Sequence, residues 1–287
     1  MKLKLTGVEE TLLITLYVRA KDAESDKPVL NDRKAAEILS HIDNDLSQFK
    51  TAWMSYYGIL ARAKLMDEEI RKFIKKNPDG VIVSLGSGLD TRFYRVDNGK
   101  IRWYDIDFPE VIELRKQLIG EHPRVTSVSK SMLDASWPEE IDREGKKLLV
   151  ISEGVIMYLE EEEVKELLGV MADGLDEFEA HFDLLYKGLV GFSKKHDAVK
   201  YTQAEFKWGV TDGREIVRLD PRWQYLECIN FTREMKHLLP GWNKLLILGQ
   251  RLPLPWCRRE PVPQVYLPAK PPFDWHPARC PSLYLVL

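Results

Sequence analysis

Apolar positions along this chain change rhythm near residue 80. From Glu9 to about Lys76 they recur at helical spacing. The amphipathic stretch from Trp53 to Phe73 stops before Asn77-Pro78-Asp79-Gly80, a run of turn formers. Beyond it, short apolar runs alternate with helical segments: Val81 to Leu85, Ile101 to Asp105, Arg124 to Val128, Lys147 to Ile151 and Ala180 to Leu185. The run Lys147 to Ile151 fits a central strand buried on both faces, and the alternation of these segments with helices predicts a parallel sheet covered on both sides. Two further strands, Tyr225 to Phe231 and Asn243 to Leu248, are expected on either side of a helix from Thr232 to Leu239. The pattern therefore reads as an α/β, Rossmann-like fold: a helical cap over residues 1–78 and a core over 79–252 built on a mostly parallel, seven-stranded sheet. A polar, aromatic-rich insertion at about 188–221, with His196, Tyr201, Phe206 and Trp208, is expected near the site.

The last 35 residues break the pattern. They hold nine of the chain's 16 prolines, and proline removes backbone donors and excludes regular helix or central strand. The tail 253–287 is expected to be irregular and foreign to the rest of the fold. Composition narrows the function classes: net charge is −3 and the pI about 6.1, so no basic field draws the chain to nucleic acid or an anionic membrane. It has no apolar run long enough to span a bilayer, and the first residues lack a signal-peptide core. Three widely spaced cysteines, Cys228, Cys257 and Cys280, argue for a reducing compartment, and cytoplasm is the expected location. The six histidines show no metal-ligand spacing, so no metal site is expected.

Candidate chemistry begins where the strand Val81 to Leu85 breaks into Gly86-Ser87-Gly88. A glycine turn after a strand lets a ligand lie against backbone and suits the adenosine-bearing half of a cofactor. The third glycine of a dinucleotide fingerprint is replaced by Thr91, which shifts weight from NAD to S-adenosylmethionine (SAM). At the end of the next strand, about 20 residues on, an acid can accept from both ribose hydroxyls. Asp105 and Asp107 both fit, although Asp107 also suits a cap for the helix beginning at Pro109-Glu110. Glu153 follows the buried strand Lys147 to Ile151, at the strand end where open α/β sheets bind ligands. Its alternative is a helix cap for Leu159 to Met171.

Four strings in order, Leu85-Gly86-Ser87-Gly88-Leu89-Asp90-Thr91-Arg92, Asp105-Ile106-Asp107-Phe108-Pro109-Glu110-Val111-Ile112, Ser131-Met132-Leu133-Asp134 and Ser152-Glu153-Gly154-Val155-Ile156-Met157-Tyr158-Leu159, resemble the leucine carboxyl methyltransferase family. That family includes bacterial polyketide O-methyltransferases. The resemblance runs from about Val8 to about Leu252 and implies a class I methyltransferase fold using SAM. It implies that Gly86, Ser87 and Gly88 underlie the methionyl part, that Asp107 holds the ribose, and that Leu133 and Asp134 edge the adenine. Asp134 has a capping role before Ser136-Trp137-Pro138 as its alternative. Glu153 would lie beside the cationic methionyl portion and Arg62 would reach the SAM carboxylate; the family commonly has Thr after that arginine, where this chain has Ala63.

The acceptor implied is a small molecule bearing a carboxyl or phenolic oxygen. A protein C-terminal leucine is the runner-up, and an NAD-dependent dehydrogenase or a non-catalytic SAM-binding protein is remote. Tyr17, Arg19, Tyr158, His181, Asp183 and Trp208 are available on the acceptor side, with Arg19 and Tyr158 the preferred catalytic candidates. No residue is singled out as a general base, and the sequence carries no signal for oligomeric state.

Overall fold

The computed structural model describes residues 1–229 and 231–239. The helical rhythm of the first third becomes α1 (Leu12–Ala23), α2 (Arg33–Ser40) and the long α3 (Trp53–Lys76). α2 starts at Asp32, whose Oδ1 accepts the Ala35 N–H at 3.0 Å. α3 ends in Lys75 and Lys76, cations that complement the helix C-terminus. The chain then alternates as β1 (Val81–Leu85), α4 (Arg92–Val96), β2 (Arg102–Asp107), α5 (Pro109–Leu118), β3 (Val125–Ser129), β4 (Leu148–Ser152), α6 (Glu161–Gly174) and β5 (Glu179–Phe182). After β5 come short 3-10 turns, then α7 (Ile216–Leu219) and α8 (Phe231–Leu238), the latter packed along α3.

All pairings are parallel and the strand order is β3-β2-β1-β4-β5. β1 and β4 are buried along their whole length, as their largely apolar sequences require. On one sheet face Met66, Ile70 and Phe73 of α3 meet Ile82, Trp103 and Leu149. On the other, α6 lays Val164, Leu167, Leu168 and Met171 against Val83, Val150 and Phe182. Because β2 and β4 lie on opposite sides of β1, chain order reverses there and a crevice opens beyond the C-terminal strand ends.

Five strands form among the described residues, where the sequence suggested seven. Tyr225, Leu226, Cys228 and Ile229 pack on the core edge as irregular chain, and Phe231, which packs there too, is the first residue of α8, so that apolar run was read from burial rather than from pairing. Asn243 to Leu248 and the proline-rich tail lie outside the described residues. Among the described residues no helix is long and apolar enough to cross a membrane, and no cluster of His, Cys, Asp or Glu could hold a metal ion.

The N-terminal helices are tied to the β1–α4 loop by buried charge. Arg19 of α1 donates through Nη1 to Asp32 Oδ2 at 2.8 Å and Thr91 Oγ1 at 2.6 Å, and through Nη2 to the Leu89 carbonyl at 2.9 Å. Arg95 also meets Asp32, and reaches Asp67 of α3 at 2.8 Å. Burial opposes ionisation of Asp32, yet Arg19 and Arg95 hold its pKa below the usual carboxylate value. Removing one partner of such a set leaves uncompensated charge in the interior. Asp32→Ala is therefore expected to lower unfolding stability by about 3 to 5 kcal/mol in urea titration; a loss below about 1 kcal/mol would show that the two arginines find solvent.

Candidate functional site

The turn after β1 is held left-handed at two points, with φ of +63° at Gly86 and +48° at Gly88. A Cβ on Gly86 would lie 2.6 Å from Val155 Cγ2, and one on Gly88 2.5 Å from Leu12 Cδ2. This corrects the simplest view of the glycines: their bare α-carbons face two packed side chains. The turn can offer a ligand its backbone and the Ser87 hydroxyl. Ser87 is 3 % exposed, and its Oγ makes no hydrogen bond to any described group. A buried hydroxyl without a partner is costly.

β2 runs two residues further than its apolar pattern suggested, and this separates its two acids. Asp107 ends the strand and lines the crevice beside Gly86, Ser87 and Gly88. Its Oδ2 accepts the Gly88 N–H at 2.7 Å and its Oδ1 the Phe108 N–H at 2.8 Å, so it braces the glycine turn instead of capping α5. Burial raises its pKa above the usual carboxylate value. Asp105 sits within the ladder opposite Ser84 and Ser127. Its Oδ1 accepts from Trp103 Nε1 at 2.9 Å, its Oδ2 pairs with Arg115, and it faces a separate cleft with Phe93, Trp103 and His122. Asp105 is thus not a lining residue of the crevice.

Glu153, just past β4, meets two guanidiniums: Oε1 accepts from Arg62 Nε at 2.9 Å, and Oε2 pairs with Arg92. Glu160, not Glu153, caps α6. Arg62 projects from α3 into the same crevice, and its Nη1 lies 2.8 Å from Asp183 Oδ2 at the end of β5. Arg92 also grips Asp67 through Nε at 2.7 Å and Asp90 through Nη1 at 2.8 Å. Burial works against the Asp90 charge, but Arg92, Arg95 and Arg19 around it hold its pKa far below the usual range. Arg62, Ser87, Asp107 and Glu153 therefore converge on one crevice. Its apolar walls are Leu12, Ile59, Phe108, Val111, Met132 and Val155.

Several expected residues lie elsewhere. Leu133 packs against the core beneath the sheet end, and its neighbour Met132 lines the crevice. Asp134 is exposed and uses Oδ1 to accept from the N–H and hydroxyl of Ser136, at 2.8 and 2.6 Å, which is the capping alternative. Arg19 lines the crevice wall, but its guanidinium is committed to Asp32, Thr91 and Leu89. Tyr158 is buried and stacks on Phe206. Burial pushes its hydroxyl up to about 12. Tyr17 packs on Phe49, His181 is buried in β5, and Trp208 Nε1 donates to Glu161 at 3.2 Å. None of these three lines the crevice. Asp90, Arg92, Phe108 and Met132 line it without having been singled out. Their only signal was membership of the quoted motif strings.

Residues 13–172 match the model of the family described as leucine carboxyl methyltransferase. The chain is 34 % identical over 232 residues to the tetracenomycin polyketide synthesis O-methyltransferase TcmP of Streptomyces glaucescens, covering 78 % of this chain and 86 % of that one. It is 31 % identical over 250 residues to the S-adenosyl-L-methionine-dependent methyltransferase dpfgK of Gibberella zeae, covering 79 % and 83 %. Likeness to leucine carboxyl methyltransferase 1 of Candida albicans, at 36 % identity, extends over 69 residues, 23 % of this chain and 19 % of that one. The matched region carries α1, α3, the glycine turn, Asp107 and Glu153, and with these relatives it places the chain in the leucine carboxyl methyltransferase family.

Proposed function

We propose that this protein is an SAM-dependent O-methyltransferase acting on a carboxyl or phenolic oxygen of a small, polyketide-type molecule. The observation that carries the proposal is the convergence of Arg62, Ser87, Asp107 and Glu153 on one crevice at the β1 and β4 strand ends. The amino-acid end of SAM needs a cation for its carboxylate and an anion for its ammonium, and the ribose needs an acceptor pair. Arg62, Glu153 and Asp107 have those chemistries, and the Ser87 hydroxyl supplies a donor that no group among the described residues uses. The residues present fit the cofactor.

Bound SAM supplies an electrophilic methyl on a sulfonium that leaves as a neutral thioether, so no acid is needed for the leaving group. Asp107, fixed by the Gly88 and Phe108 N–H groups, would hold the ribose. Arg62 would grip the carboxylate through its free guanidinium edge, while Glu153 would attract the ammonium. Phe108, Met132 and Val155 would screen the crevice from water. The protein's contribution is alignment of the two reactants. A carboxyl acceptor, with a reference pKa near 4, is ionised at neutral pH and needs no base, whereas a phenol, near 10, is helped by one.

SAM should raise the melting temperature progressively with the ratio of its concentration to its dissociation constant, and NAD should not. With methyl-labelled SAM, label should pass to an aromatic polyketide acid or phenol and not to a peptide ending in leucine. Label on the peptide alone would move the activity to a protein carboxyl terminus; stabilisation by NAD alone would remove the methyltransferase reading.

Asp107 and the buried network give opposite pH responses. Asp107 has a raised pKa in the folded protein, so it takes up a proton at a pH above its ordinary value near 3.9 and ceases to accept from both hydroxyls. Asp32 and Asp90 have depressed pKa values; the stability they contribute is present above the unfolded value and is lost only as pH falls through their lower folded values. SAM affinity, followed by calorimetry from pH 7 to 4, should therefore decline while the protein remains folded. Affinity that stays level until unfolding would contradict the assignment of Asp107.

A further inference from the structure

Asp183 lies behind the crevice, at the end of β5 and 2 % exposed. Neither of its oxygens faces an acceptor: Oδ1 accepts the Gly154 N–H at 2.9 Å and Oδ2 pairs with Arg62 Nη1 at 2.8 Å. Gly154 has φ of +75°, and a Cβ there would sit 3.2 Å from Arg62 Nη2. The Arg62 guanidinium is thus laid across a bare α-carbon and pinned on two edges, Nε by Glu153 and Nη1 by Asp183. Its Nη2 hydrogens make no hydrogen bond among the described residues, and the side chain lines the crevice.

The geometry points to Asp183 as a positioning residue that fixes the orientation of Arg62 and so sets affinity for the carboxylate of the cofactor's amino-acid end. This rests on the SAM reading above. A flexible arginine has rotamer entropy to lose when it grips a ligand. Clamping two edges removes that cost before the ligand arrives and leaves the third edge to bind. Asp183 also offsets part of the Arg62 charge, so the guanidinium can be held in a buried place without its neighbour Glu153 being consumed as its sole counter-ion.

The test is calorimetric, with three ligands: SAM, S-adenosylhomocysteine, and decarboxylated SAM, which lacks the carboxylate. Asp183→Asn keeps an acceptor for Gly154 but loses the charge on Arg62. It should weaken SAM and S-adenosylhomocysteine alike, by about tenfold, and leave decarboxylated SAM within about twofold of the wild type. Turnover at saturating SAM should stay within about threefold, so that the change falls on KM. In an Arg62→Gln background the same substitution should have no further effect on SAM affinity. Asp183→Ser, smaller and still able to accept from Gly154, is run in parallel so that a folding failure in one variant leaves the comparison intact.

Equal loss for all three ligands would mean that Asp183 is merely structural, and the inference would fall. It would fall equally if Arg62→Gln weakened SAM while Asp183→Asn did not, although the SAM reading would survive. A wild-type protein that binds none of the three ligands would overturn that reading itself.

Discussion

A continuous path of guanidinium–carboxylate contacts runs through this molecule to the crevice, from Asp32 through Arg95, Asp67 and Arg92 to Glu153, Arg62 and Asp183. It joins the loop before α2 to α4, α3 and the ends of β4 and β5. Each of these groups would be costly to bury alone, and replacement by packed apolar residues would often stabilise a protein as well or better. What an apolar core could not do is hold a formal charge at a fixed point on a concave surface. Here the path surfaces at Arg62 and Glu153, one cation and one anion side by side in the crevice.

That arrangement explains why the N-terminal helices and the sheet act as one unit in forming the site. α3 supplies Arg62 and Asp67, the β1–α4 region Asp90 and Arg92, and α1 the side chain of Arg19, which ties Leu89 and Thr91 to Asp32. The apolar contacts follow the same joint. Leu12 occupies the space over Gly88, and Val155 that over Gly86, so the two glycines of the turn let the cap and the β4 end close on β1. In the proposed reaction this rigidity matters more than any proton-transfer group, since displacement at a sulfonium asks for alignment and for water to be kept out.

Much of this was legible in the chain. β1 is found where four apolar residues and Ser84 run into Gly-Ser-Gly, and Glu153 follows the β4 run directly, because burial on both faces writes a nearly continuous apolar signature. Asp105 misled for a physical reason: polar residues near a strand end do not reveal whether the ladder continues, and two more paired residues moved the true end to Asp107. Asp134 misled because a short turn satisfied by Ser136 leaves the same sequence trace as a ligand contact. Arg92 and Asp183 were harder still. Their roles arise from contacts across 25 to 121 residues of chain, with Asp67 and with Arg62, and no local spacing encodes such partners.

The central claim is that Arg62, Ser87, Asp107 and Glu153 form one cradle for the sulfonium nucleoside, and the most direct measurement is a crystal structure with S-adenosylhomocysteine. The account requires both ribose hydroxyls on the Asp107 carboxylate, the amino-acid carboxylate on Arg62 and its ammonium toward Glu153. Density for the nucleoside in the other cleft, beside Asp105, Trp103 and His122, with those four side chains left as they are, would contradict it.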